Sequence, residues 1–108
     1  MKQDLAVKML AAIAHKGRLV LIRRLIRAGA DGVSAGALAS FAKIGATTAS
    51  AQLLVLENAR LVRSERRGRN KFYFAECQQI CALLRFLMLD CCDGRSDICE
   101  PILEAMEQ

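Results

Sequence analysis

Three cysteines fall within nine residues, at Cys91, Cys92 and Cys99. Thiolates are soft ligands, so such a cluster can hold a thiophilic ion or change with redox state. Three thiolates without a nearby histidine suit a trigonal soft centre such as arsenite or antimonite, and three negative charges balance a trivalent ion. Zinc normally takes a fourth ligand. Asp93 or Asp97 would supply one, which keeps zinc, cadmium and lead open. A redox reading uses the same residues, with Cys91 or Cys92 linking to Cys99 and Cys77 able to take part. Arg95 and a helix N-terminus near Cys99 favour thiolate, whereas Asp90, Asp93 and Asp97 oppose it. A bound cation offsets that opposition, because its charge reverses the local electrostatics.

The remaining thiols, Cys77 and Cys81, are four residues apart on a helical stripe continued by Leu84 and Met88. Cysteine packs well as a small hydrophobe, so this pair reads first as core or dimer interface. The rival reading is a thiol pair reaching a metal across a dimer. The single histidine, His15, reads as a helix-end or surface residue.

A second constellation is cationic. Arg66, Arg67, Arg69 and Lys71 surround a glycine, Gly68, and repel one another unless an anion is near. Such a tip suits phosphate contact, which brings affinity and salt dependence but no sequence information. Upstream, Thr47, Thr48, Ser50 and Gln52 lie off an apolar stripe of Ala49, Leu53 and Leu56. Their hydroxyls and amide are able to bond base edges or phosphates.

The charge distribution agrees. Residues 1–75 hold 14 Lys/Arg against 4 Asp/Glu, whereas residues 76–108 hold 2 against 7, for a net charge of +5 over 108 residues. A basic body beside an acidic tail points to a polyanion as partner for the body. The length suits one domain. No apolar run is long enough to span a bilayer, so no membrane partner is expected. Met1–Ala14 has the small-residue ending of a signal peptide, but Asp4 and Lys8 interrupt its apolar stretch, and it reads as an amphipathic helix. An odd total of five cysteines argues for reduced thiols and a cytoplasmic setting.

The elements that must position these groups follow from periodicity. Leu5, Met9, Leu10 and Ile13 have helical spacing, as do Leu19, Ile22, Leu25 and Ile26, with Gly17 expected to separate the two helices. Residues 28–32 (Ala-Gly-Ala-Asp-Gly) form a turn. Ser34 caps a short third helix whose core face is Leu38 and Phe41. Lys43, Ile44 and Gly45 turn into a fourth helix over about 46–59. Residues 61–66 and 71–74 read as strands of a hairpin around the 67–70 tip. A fifth helix runs over about 76–90 with Ile80, Leu83, Leu84, Leu87 and Met88 apolar. A loop at 93–96 follows, and Pro101 suits the first turn of a short last helix. The chain is therefore mainly α with a small β-hairpin, in the order of a winged helix-turn-helix. The helix-turn-helix covers about 34–59, the wing about 61–74, and the last helix and tail about 76–108 of a single domain. That layout places one helix in the DNA major groove with a basic hairpin tip beside it.

Several segments resemble the ArsR/SmtB family of metalloregulatory repressors. They are Ala14-His15-Lys16-Gly17-Arg18-Leu19, Ser50-Ala51-Gln52-Leu53, Ala59-Arg60-Leu61-Val62, Arg67-Gly68-Arg69-Asn70-Lys71-Phe72-Tyr73, and Phe86-Leu87-Met88-Leu89-Asp90-Cys91-Cys92-Asp93-Gly94-Arg95. The resemblance covers about residues 5–99. It implies a homodimer paired through the first and fifth helices, bound to a palindromic double-stranded operator and released when an ion or oxidant reaches the thiols. Two other ligand sets known in the family have no counterpart here. Residues 34–38 carry no thiol, and the paired His/Asp site on the last long helix is missing. That leaves Cys91, Cys92 and Cys99 as metal ligands, with arsenite or antimonite as inducer. Gln52 stands where the family often has histidine, and Ala51 where a polar or basic residue is common. The recognition face is therefore sparse in base readers, and the expectation is either binding that leans on phosphates and DNA shape or modest specificity.

The expected function is a dimeric repressor of the arsenite-responsive type with a C-terminal cysteine cluster. The alternatives are a thiol redox or persulfide sensor, or a zinc-, cadmium- or lead-responsive repressor of the same fold. A protein-interaction module that has lost DNA reading is the competing class. An enzyme fits least, since no nucleophile–base pair and no phosphate-cradling glycine loop is present.

Overall fold

The computed structural model describes residues 1–90 and Glu104. Five helices and a three-stranded antiparallel sheet follow in the order α1 (Gln3–Ile13), α2 (Lys16–Ala28), β1 (Val33–Ser34), α3 (Ala35–Ala42), α4 (Ala46–Asn58), β2 (Val62–Arg67), β3 (Asn70–Ala75) and α5 (Cys77–Arg85). A 3-10 turn, Gly29–Asp31, joins α2 to β1, and α5 runs on into a π-type turn over Phe86–Asp90. This is a winged helix-turn-helix, with α3 and α4 as the helical pair and β2–β3 as the wing. Among the described residues no helix is long and apolar enough to cross a membrane.

The boundary between α1 and α2 is set by a histidine rather than by Gly17. His15 has extended backbone, and its Nδ1 accepts hydrogen bonds from the Gly17 and Arg18 amides at 3.1 and 3.3 Å. Those amides are among the donors that a helix start leaves unpaired. Gly17 is already inside α2.

The core is built from one face of each helix and the base of the wing. Met9, Leu21, Leu25, Leu38, Leu53, Leu56 and Leu61 are fully enclosed. The α4 stripe Ala49, Leu53, Leu56 is buried as its spacing requires. Helical spacing alone does not decide burial. Leu10, Leu19, Ile26 and Leu84 are exposed, and Leu21, which the periodicity passed over, is buried. Phe41 is also exposed, at 53%, with the Arg24 guanidinium 5.6 Å from its ring centroid. Only eight residues long, α3 buries a single turn, Leu38 and Ala39, and Phe41 lies past it.

The hairpin is joined to a third strand that the sequence reading did not include. Val33 pairs with Tyr73 and Ser34 with Phe72, so β3 is central in the order β1-β3-β2. Ser34 also caps α3, its Oγ accepting from the Ala37 amide at 3.2 Å.

Both helices of the helix-turn-helix end in the same device. After α3, the Ile44 amide bonds the Ala39 carbonyl and the Lys43 amide bonds the Ser40 carbonyl. After α4, the Leu61 amide bonds the Leu56 carbonyl and the Arg60 amide bonds the Glu57 carbonyl. These are Schellman closures, which place one residue in left-handed conformation, usually a glycine. Here that residue is Lys43 (φ 58°) or Arg60 (φ 63°). A cation complements the helix dipole there but carries the left-handed penalty of a β-carbon. Replacing Arg60 by glycine is therefore expected to stabilise the fold by about 0.5–1 kcal/mol, measured as a higher midpoint in thermal or urea denaturation.

Candidate nucleic-acid interface

The turn Lys43-Ile44-Gly45 delivers the chain to α4 with Gly45 extended at its start. Because Ala49, Leu53 and Leu56 anchor one side, the opposite side faces outward. Thr47, Thr48 and Ser50 are exposed on it, as the sequence reading placed them. They supply hydroxyl donors and acceptors, and the threonines add methyl groups. Two apolar side chains lie off the buried stripe. Leu54, at 56% exposure, shares this surface, and Val55, at 39%, lines a groove with Lys8, Ala12 and Arg18 on the α1 side. Sequence reasoning passed over them because it sought polar readers. Their position off the buried stripe was the available signal. Apolar atoms such as those of Leu54 are suited to the thymine methyl.

Gln52 is placed differently. It is half-buried, and its Oε1 accepts a hydrogen bond from the Arg18 guanidinium at 2.8 Å. The sequence grouped it with the readers, but its carbonyl is already engaged inside the protein.

The wing closes with a two-residue turn. Arg67 pairs with Asn70, leaving Gly68 and Arg69 at the tip, and Gly68 has φ 63°. Glycine in left-handed conformation at the first tip position is what a type II′ hairpin requires. Strand alternation then divides the cations. Arg63, Glu65 and Arg67 share one face with Phe72 and Phe74. Arg67 lies 5.0 Å from the Phe72 ring centroid, 5.3 Å from that of Phe74 and 3.7 Å from the Glu65 carboxylate. Arg63 sits 4.3 Å over Phe74 and pairs with Glu76 at 3.0 Å. These two arginines are therefore occupied in holding the wing's outer face together.

On the other face Arg66 stands directly across from Lys71. Like charges in cross-strand register destabilise a hairpin. Lys71 leans over Tyr73, 5.3 Å from its ring centroid. Arg66 and the tip residue Arg69 are exposed, and among the described residues neither has a carboxylate within ion-pair distance. Of the four predicted wing cations, these two have neither a carboxylate nor an aromatic ring as partner among the described residues, Lys71 has a ring alone, and Arg67 has both. The wing is tied to α4 through the Ser64 hydroxyl and the Glu57 carboxylate, 3.1 Å apart. This bond joins the C-terminal part of α4 to the middle of β2, on the strand that leads to the wing tip.

Further positive charge lies on α2. Arg23, Arg24 and Arg27 line a groove of about 380 Å³ with Val20 and Phe41. Arginine at i and i+4 without a compensating acid raises the local potential that attracts a polyanion.

The thiols divide into two sets. Cys77 and Cys81 are both reduced and exposed, beside a groove of about 400 Å³ that they share with Gln78, Ala82 and Arg85. They do not enter the core of the protomer, because α5 turns Leu83 inward and leaves its cysteine side open. Cys91, Cys92 and Cys99, the proposed metal ligands, lie outside the described residues, as does the short helix expected at Pro101. Among the described residues no three His, Cys, Asp or Glu side chains gather as a metal site.

No protein-family model matches the chain, and no curated protein matches it. Solved structures do. An ArsR-like transcriptional regulator from Rhodococcus sp. RHA1 superimposes with a TM-score of 0.73 at 22% identity, over 97% of this chain and 92% of that one. A homodimeric winged helix-turn-helix DNA-binding domain from Mycobacterium bovis, described as a possible ArsR-family transcriptional regulator, gives 0.67 at 22% identity, over 87% and 84%. The transcriptional repressor BigR from Xylella fastidiosa gives 0.61 at 26% identity, over 77% and 83%. The chain thus shares its winged helix-turn-helix fold with solved structures described as an ArsR-like regulator and a possible ArsR-family regulator.

Proposed function

We propose that this chain is a dimeric, DNA-binding transcriptional repressor that leaves its operator when trivalent arsenic or antimony binds Cys91, Cys92 and Cys99. The observation that carries the DNA-binding part is the coupled surface. An outward hydroxyl face on α4 is fastened by Glu57 and Ser64 to a wing whose Arg66 and Arg69 have no carboxylate partner among the described residues. The phosphate-seeking tip provides affinity, and Thr47, Thr48 and Ser50 supply the base-edge or phosphate bonds of a helix in the major groove. The likeness to a homodimeric DNA-binding domain and to a repressor supports the same reading.

Dimerisation is proposed through α1 and α5. Val7, Leu10 and Leu84 leave apolar surface open on these helices. Burying such surface against a second copy is favourable, by about 25 cal/mol per Å². Two copies present two reading heads to the half-sites of a palindrome.

The effector step rests on the sequence. Three thiolates balance the charge of a trivalent centre, and Cys91 and Cys92 directly follow Asp90 in sequence, the last described residue of the turn Phe86–Asp90. An ion that draws them toward Cys99 acts on the segment next to the proposed dimer helix. Release requires the ion to favour the weakly binding conformation, with a coupling of about 1–3 kcal/mol. Gel shifts on the DNA upstream of the chain's own gene test both parts. The wild-type dimer should bind and be released by arsenite, while the triple variant Cys91→Ser, Cys92→Ser, Cys99→Ser should stay bound. Normal release of that variant by arsenite moves the site elsewhere. Release by oxidant or zinc alone favours the redox or divalent-metal reading.

A further inference from the structure

Arg18 makes two hydrogen bonds that join three helices. Its Nε donates to the Ala12 carbonyl in the last turn of α1 at 2.6 Å. Its terminal nitrogen donates to Gln52 on α4 at 2.8 Å, a link spanning 34 residues of sequence. The Ala12 carbonyl is one of those that a helix end leaves without an intrahelical partner, and a guanidinium there also meets the negative end of the α1 dipole. Guanidinium only donates, so the atom of Gln52 that it meets must be the carbonyl oxygen. The fork thus fixes the Gln52 amide rather than leaving it to rotate.

The rest of α4 is held by apolar contacts, which resist separation but allow sliding and rotation about the helix axis. Two side-chain hydrogen bonds add direction. Glu57 to Ser64 orients α4 toward the wing. Gln52 to Arg18 orients it toward α1, the helix whose Val7 and Leu10 are open on the surface. We infer that Arg18 and Gln52 are positioning residues. Their hydrogen bond sets the pose of the α4 reading face relative to α1, and so the relation between the two reading heads of a dimer. This rests on the DNA-binding reading above and assigns Gln52 a role other than base contact.

The experiment compares wild type, Arg18→Gln, Gln52→Ala, Gln52→Glu and the double variant Arg18→Gln/Gln52→Ala, on the same upstream DNA over a range of salt. Circular dichroism melting and solution mass accompany each. Gln52→Ala and Arg18→Gln should each weaken binding about tenfold, and the double variant should bind no worse than either single one. The slope of log affinity against log salt should stay at its wild-type value, because no phosphate contact is lost. Gln52→Glu keeps the acceptor for Arg18 and should bind within about threefold of wild type. A Gln52→Glu variant weaker than Gln52→Ala would show that this side chain faces DNA and would overturn the inference. So would a reduced salt slope in Arg18→Gln, or wild-type affinity in both single variants. Should Arg18→Gln unfold, the Gln52 pair decides alone. Absence of DNA binding by wild type is a separate result that removes the DNA-binding reading itself, and this inference with it.

Discussion

Alanine at both Arg66 and Arg69 will weaken binding to DNA by roughly tenfold or more at moderate salt and will lower the salt slope by about two. Each phosphate contact contributes about one released counterion, so losing two contacts has a signature that loss of a base contact lacks. The effect should be uniform across DNA sequences, because the backbone carries no base information. The choice of residues matters. Arg67 was equally attractive as a phosphate ligand from sequence, but it is packed on Phe72 and Phe74 and paired with Glu65. Its removal would loosen the wing and mix a folding effect into the binding measurement. Arg66 and Arg69 have no such internal duties among the described residues. Filter binding or fluorescence anisotropy over a salt series, on specific and unrelated DNA, checks both the magnitude and the slope. An unchanged slope would mean that the wing tip does not touch phosphate.

The largest expected effect on stability is at Gly32. This residue has φ 67° and ψ −178°, a region that essentially only glycine occupies. A β-carbon there would meet the Phe74 ring at Cε1, with Cδ1 at 2.7 Å and the Tyr73 carbonyl oxygen at 2.8 Å. Phe74 has little room to retreat, since it is buried and covered on its outer face by Arg63. Gly32→Ala therefore combines backbone strain with overpacking, and is expected to cost about 2–5 kcal/mol. Gly29→Ala is the internal control. It shares a positive φ of 59° but meets nothing within 4 Å, so it carries the backbone penalty alone. Urea denaturation of the two variants separates the terms. Equal destabilisation would mean that the β1–β3 junction yields around a methyl group.

The parts legible from sequence were those set by local rules. Ala49, Leu53 and Leu56 announce α4 because a helix anchored on one side needs that period. The aromatic run before Ala75, with Gly68 at the tip, announces the wing. Placements that differ from the sequence reading arise where partners are remote or where a residue type has two habits. Gln52 looks like a solvent-facing reader because its partner, Arg18, is in another helix and no local pattern connects them. Phe41 has the spacing of a core residue but lies past the single turn that α3 buries. Cys77 and Cys81 follow an apolar stripe that reads as core or dimer interface. The fold turns Leu83 of α5 inward and the thiols outward, which removes the core half of that reading and not the interface half. Strand alternation would have placed Arg67 with Phe72 and Phe74, given the Arg67–Asn70 pairing that the turn sets. The two-residue strand at Val33 is too short to show a period, and it exists because β3 offers it an edge.

That last relation has a consequence for β2. With β3 occupied on both sides, β2 is an edge of the sheet among the described residues, and its outward backbone groups offer pairing to a strand from another molecule. Natural sheets protect such edges with charge. Arg63, Glu65, Arg66 and Arg67 place four charged side chains on this six-residue strand. The arginines of the wing thus guard against self-association whether or not DNA is present. A wing stripped of charge and a wing with its charge reversed are different objects. The first bares a sticky border, and the second keeps the border closed while changing only what the tip attracts.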